Sequence, residues 1–135
     1  GYLDIFSKGL IQRAKEEILV TKPYINFCYL TNSIQEAAGK RKIKTTIVTR
    51  PISGDKYRDE IQEYHNELRQ SGVTLKYHNG VHAKLLVVDN EIAVVSSMNL
   101  TVTSSGGSSW EAGVVSIDDK VVKSVVDSIM SLPIK

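Results

Sequence analysis

Four consecutive apolar residues, Leu85-Leu86-Val87-Val88, are preceded by His82-Ala83-Lys84 and closed by Asp89-Asn90. A strand that alternates apolar and polar side chains can leave one face in water, whereas a run without alternation has to be covered on both faces. The chain therefore needs a sheet with apolar material above and below it. At 135 residues, with 41% apolar and 24% charged content, it is long enough to provide this within one compact domain. Asp89-Asn90 supplies a turn, and residues 92–95 return as a second short strand that delivers Ser96, Ser97 and Asn99 at its end. On an extended strand His82 and Lys84 project from one face, which sets an imidazole beside an ammonium.

The rest of the chain supplies the covering elements. Phe6, Leu10, Ala14 and Ile18 recur every four residues and predict a helix over 4–17, followed by a strand at 18–21. Beyond Pro23, helical spacing of Phe27, Leu30, Ile34 and Ala37-Ala38 runs to Gly39, and residues 43–49, β-branched except for Lys44, read as a strand. A third helix starts near Asp55, with Tyr57, Ile61, Tyr64 and Leu68 on one face, and ends near Ser71-Gly72, before a strand at 73–77. Asn79-Gly80 is the commonest tight-hairpin signal, so His82 is expected just beyond a sharp bend. After a Ser/Gly loop at 103–109, a strand at 111–117 leads to Asp118-Asp119, which caps a final valine-rich helix ending at Pro133. This order predicts an α/β fold, a mixed, largely parallel β-sheet flanked by helices on both faces.

No run approaches the length of a membrane span and no signal peptide is recognisable. The chain begins Gly1-Tyr2-Leu3 without Met, so a single domain over 1–135, excised from a longer protein, is expected. Cys28 stands alone among aromatic and aliphatic neighbours and reads as a buried reduced thiol, and the lack of any disulfide points to the cytoplasm. The net charge of +2 is small, but its distribution is uneven. Lys40, Arg41, Lys42, Lys44 and Arg50 fall in eleven residues that contain no acid, either a solvated surface or a track for a polyanion.

His82-x-Lys84-x4-Asp89, then six residues, then Ser96-Ser97-x-Asn99, resembles the signature of the phospholipase D superfamily, with Ser96 standing where that family usually has Gly. The resemblance extends from the helix before Gly72-Val73 to Glu111 and the final helix. It implies the phospholipase D-like fold and a set of roles. His82 would be the nucleophile that forms a covalent phospho-histidine. Lys84, Ser97 and Asn99 would neutralise the phosphoryl oxygens, and Glu111 would hold one ring nitrogen of His82 so that the other is free. Asp89 belongs to the motif, yet its place after four buried residues and in a turn points to loop anchoring.

One motif copy lacks the acid for the leaving oxygen, and neither His65 nor His78 repeats the pattern. In similar single-copy proteins two chains share one site, so a twofold homodimer is expected. Small relatives of this kind are frequently nucleases, and Lys40, Arg41, Lys42, Lys44 and Arg50 would suit a phosphate backbone. The expectation is thus a metal-independent phosphodiesterase without cofactor, acting on DNA or RNA, with no stable membrane association. A phospholipase D-type lipid hydrolase and a non-catalytic phosphate-binding or nucleic-acid-binding module of a larger protein are the alternatives.

Overall fold

Alternation of side chains along the first strand decides which helices cover which face. In the computed structural model, which describes residues 2–25, 30–54, 56–96, 100–102, 108–110 and 113–133, Ile18 and Val20 of β1 (Glu17–Lys22) enter one apolar cluster while Leu19 enters another on the opposite face. β2 (Lys44–Thr49) and β3 (Thr74–Tyr77) extend the sheet outward from β1, each parallel to its neighbour. Parallel neighbours need a crossover, which α2 (Thr31–Gly39) and α3 (Arg58–Gln70) provide. Both lie with α1 (Tyr2–Arg13) over one face, where Ile11, Ile34, Ala37, Tyr64 and Leu68 pack on Ile18, Val20 and Ile47. α4 (Asp119–Met130) covers the other face through Val122 and Ile129 on Leu19, Val48, Val87 and Ala93. Its start is fixed as expected, by an Asp118 carboxylate that accepts the Lys120 N–H at 2.9 Å and the Val121 N–H at 3.2 Å.

The chain then returns to the middle of the sheet. β4 (Lys84–Val88) runs antiparallel to β1 on one side and to β5 (Ile92–Ser96) on the other, and β8 (Gly113–Ser116) forms the edge, giving the order β3-β2-β1-β4-β5-β8. β6 (Leu100–Val102) and β7 (Ser108–Trp110) make a separate antiparallel pair, so Ser108 and Ser109 are strand residues where a loop was expected.

The sheet is mixed and flanked on both faces, as expected, but its parallel part is confined to β1, β2 and β3. The turn at Asp89 (φ 54) and Asn90 (φ 55), closed by the Glu91 N–H on the Val88 carbonyl at 3.0 Å, reverses the chain tightly and can join only antiparallel strands. The bend at Asn79-Gly80 also forms, with the Gly80 N–H donated to His78 Nδ1 at 2.9 Å. It is not a hairpin, because β2 and β1 stand between β3 and β4. A turn signal specifies a change of direction and leaves the pairing partner open.

At the far end of β4 the Asp89 carboxylate takes the backbone N–H groups of Lys15 at 3.0 Å, Glu16 at 2.7 Å and Glu17 at 2.9 Å, and the Asp89 N–H is donated to the Glu17 carbonyl at 2.8 Å. Partial burial pushes the carboxyl up, but the amides of Glu17, Glu16 and Lys15 and the nearby Lys15 charge outweigh it and hold the pKa below the ordinary value of 3.8. A depressed carboxylate contributes stability that is present above the unfolded pKa and lost as pH falls through the folded one. Asp89→Asn, which keeps the left-handed backbone accessible, is expected to cost about 1–2 kcal/mol at neutral pH. In urea unfolding followed from neutral to acid pH, the gap between the two proteins should close below 3.8.

Candidate active site

The strand order creates a crevice where the chain stops extending the sheet in one direction and begins on the other side of β1. In α/β sheets such switch points, at the carboxyl ends of the parallel strands, are where ligands sit. Thr21 pairs with Leu85, so Lys22 and Lys84 are the next pair in the β1–β4 register, and Lys84 pairs with Ser96 across β4–β5. Alternation places Lys22 with Ile18 and Val20, and Lys84 with Leu86 and Val88, on the face covered by α1. The two lysines accordingly line one small cavity of about 80 Å³, together with Ser7, Leu30 and Ser96.

His82 lies just before β4 and is exposed. The strand-face argument therefore does not itself align it with Lys84. Thr21 fixes the segment between them by donating its hydroxyl to the Ala83 carbonyl at 2.9 Å. Arg50, the residue after β2, reaches the imidazole. Its Nε is donated to the Val81 carbonyl at 2.8 Å, and one terminal nitrogen contacts His82 Nδ1 and lies 3.3 Å from Nε2. Arginine only donates, so the ring nitrogen that faces it is an acceptor. The guanidinium also lies 5.7 Å from the centroid of the Tyr24 ring. On the α4 side, His82 borders a larger, mainly apolar pocket of about 270 Å³ lined by Val81, Ala83, Leu85, Ile129 and Leu132.

The basic cluster at 40–50 does not stay together. Arg50 is at the site, whereas Lys44 begins β2 and lies at the opposite edge of the sheet, about 20 Å away at 3.3 Å per residue. There Lys44 pairs with Glu17 at 3.6 Å. Arg41 gives its guanidinium to the carbonyls of Ile11 (2.7 Å), Gln12 (3.0 Å) and Ala14 (2.9 Å) at the end of α1, and its Nε forms an ion pair with the Glu36 carboxylate at 3.1 Å. Lys40 and Lys42 precede β2 at this same far edge, with Asp89 at the far end of β4. Ser97, Asn99 and Glu111, like Cys28, lie outside the described residues. Lys22 and Tyr24 were not singled out in the sequence. Lys22 follows an apolar strand as Lys84 precedes one, but only the β1–β4 register brings the two together.

Beneath this edge His65, 1% exposed, anchors the loop that carries Tyr24. The Ile25 carbonyl, 3.2 Å from Nε2, can only accept, so Nε2 donates. Nδ1 then accepts from the Tyr77 hydroxyl at 3.0 Å, whose oxygen takes an N–H of Arg69 at 2.6 Å. Among the described residues no group of His, Cys, Asp and Glu is arranged to hold a metal ion.

Residues 8–132 match the sequence family described as cardiolipin synthase, PLD-like domain. No curated protein matches the chain. Among solved structures, Nuc from Salmonella typhimurium, a phospholipase D family member, is similar at 20% identity with a TM-score of 0.73, over 95% of this chain and 84% of that one. NucT from Helicobacter pylori is similar at 14% identity and a TM-score of 0.70, over 97% and 89% of the two chains. TrmBL2, an archaeal chromatin protein that binds DNA, is similar at 18% identity and a TM-score of 0.68, over 93% of this chain and 46% of that one. The chain thus spans less than half of TrmBL2 and most of the other two. At these identities the likeness is one of fold.

The polar chain through His65 is complete with a neutral ring. Burial, and more weakly the Arg69 charge, hold its pKa below the ordinary 6.5 against the raising effect of the Ile25 bond. A histidine with a depressed folded pKa contributes stability that is present above the unfolded value and lost as pH falls towards the folded one. The midpoint of thermal unfolding is expected to drop as pH is lowered from 6.5. His65→Phe, which has no proton to gain, should lower the midpoint at neutral pH and flatten this dependence.

Proposed function

The chain belongs to the family of phospholipase D-like domains, and from that membership we propose that it is a metal-independent phosphodiesterase, a nuclease cleaving DNA or RNA through a phospho-histidine on His82 in a site shared by two chains. The observation that carries this reading is the contact of Arg50 with His82 at the switch point of the sheet, at the same end of β1 and β4 where Lys22 and Lys84 line a separate small cavity. A phosphodiester brings a negative charge that grows on the equatorial oxygens during transfer, and fixed cations answer it without a metal ion. A phosphate entering the crevice takes over the Arg50 guanidinium and releases the unprotonated ring nitrogen. That nitrogen forms the N–P bond as the P–O bond to the leaving group breaks, and the departing oxygen takes a proton from the partner's imidazolium. Water then attacks phosphorus, its proton returns to that second imidazole, and the N–P bond breaks. Glu111 in this scheme accepts from the protonated nitrogen of His82, while Ser97 and Asn99 donate to phosphoryl oxygens.

A second chain has a surface to use. Among the described residues β8 ends the sheet with Val114 66% and Val115 43% exposed, and exposed apolar area of this kind suits contact with a second copy. A polyanionic substrate is supported by the DNA binding of the structurally similar chromatin protein. One observation favours a second reading, a lipid phosphodiester. The apolar pocket of about 270 Å³ beside His82 would accept an aliphatic group next to the reacting phosphate.

Labelled DNA, RNA and phospholipid micelles, each incubated in excess EDTA, test both readings. Cleavage of a nucleic acid is expected, with His82→Ala lowering kcat/KM about a thousandfold or more and Lys84→Ala about a hundredfold. Hydrolysis confined to the lipid would replace the first reading by the second, and cleavage restored only by added divalent metal would remove the mechanism. Sedimentation equilibrium at micromolar concentration is expected to give a dimer, and Val114→Lys a folded monomer with lost activity.

A further inference from the structure

We propose that Tyr24 is a stacking platform for an unpaired nucleobase, set so that the base next to the scissile phosphate lies on its ring while the phosphate meets Arg50 and His82. This inference rests on the nuclease reading and narrows its substrate to single-stranded nucleic acid. The ring is 63% exposed, yet it is not loose. Arg50 lies over it at 5.7 Å from the centroid and donates to its hydroxyl at 3.4 Å. Arg50 is itself fixed by its Nε on the Val81 carbonyl at 2.8 Å and by its backbone N–H on the Pro23 carbonyl at 3.2 Å, which also takes the Thr49 hydroxyl. An aromatic ring held in place while exposed to water loses little conformational freedom when a second ring stacks on it.

Arg50 joins the platform to the chemistry, because the guanidinium that holds Tyr24 also touches His82. A cation matched to the phosphate and a π-face matched to the base therefore sit one side chain apart. The pattern continues along the same edge, where Lys56 lies 5.7 Å from the centroid of the 52%-exposed Tyr57 just before α3. Alternating aromatic and basic side chains suit a polymer in which phosphates and bases alternate, and stacking accepts any base. In a duplex the base faces are covered by their neighbours, so only a single strand or a displaced nucleotide can use the ring. A membrane surface would call for contiguous apolar area, and these exposed aromatics are separated by cations.

The test is fluorescence anisotropy with the whole chain carrying His82→Ala, so that nothing is cleaved, on a single-stranded DNA oligomer and on an abasic oligomer of the same length. The base-bearing strand is expected to bind about tenfold more tightly than the abasic one. Tyr24→Ala should abolish that difference and Tyr24→Phe retain it. The proposal is overturned if the two oligomers bind alike, if neither binds, or if the difference survives Tyr24→Ala. It is equally overturned if Tyr24→Ala weakens binding to anionic phospholipid vesicles and leaves the oligomers as they were. Base-dependent, Tyr24-dependent binding by a protein that cleaves no diester in EDTA would sink the catalytic reading and leave the platform standing. Cleavage of single strands without Tyr24 dependence would do the reverse.

Discussion

Everything at the candidate site depends on the register of β4 against β1, and hydrophobicity alone does not set it. Each strand has a run without alternation, Leu85-Leu86-Val87-Val88 in β4 and Ile18-Leu19-Val20 in β1. A slip of one residue would exchange the two faces while still burying aliphatic side chains, each of which is worth roughly 1.5–3 kcal/mol in either position. The polar groups at the two ends break that degeneracy. At one end Asp89 binds the amides of residues 15–17 and donates its own N–H to the Glu17 carbonyl, and at the other Thr21 closes on the Ala83 carbonyl. A slip would sacrifice both clamps and turn Lys84 to the α4 face, away from Lys22 and the cavity with Ser7 and Ser96.

This gives the motif residue Asp89 a physical place in the same unit as His82 and Lys84, although a whole strand separates them. Its carboxylate fixes where β4 begins as well as where it ends, because the strand is a stiff object of set length. The clamp and the candidate site are thus coupled through the ladder.

The elements were largely legible because burial imposes period. The strand at 84–88, its Asp89-Asn90 turn, the returning strand and the amphipathic helices each announce themselves locally. Pairing did not, since it depends on which strands lie between two segments. Asn79-Gly80 marked a bend and not a hairpin partner, and the parallel part of the sheet ended where β4 entered on the far side of β1. The basic cluster shows the same limit in charge. Arg41 and Arg50 are nine positions apart in a stretch that reads as one track, yet β2 carries them to opposite edges. Arg41 is spent on the open carbonyls that end α1. Arg50, with one nitrogen satisfied by Val81, keeps another turned to His82.

Lys22 is the instructive omission. Like charges directly opposite each other on a sheet are destabilising, so pairing rules give no signal for two lysines in adjacent positions across the β1–β4 ladder. A sequence departs from the rules of stable packing where another requirement overrides them, and such departures gather at functional sites. Arg50 beside His82 is a second such placement, a cation facing a histidine ring. Lys22 and Lys84 across the ladder, and Arg50 just after β2, are thus brought to one end of the sheet by pairing that no local pattern in the sequence announces.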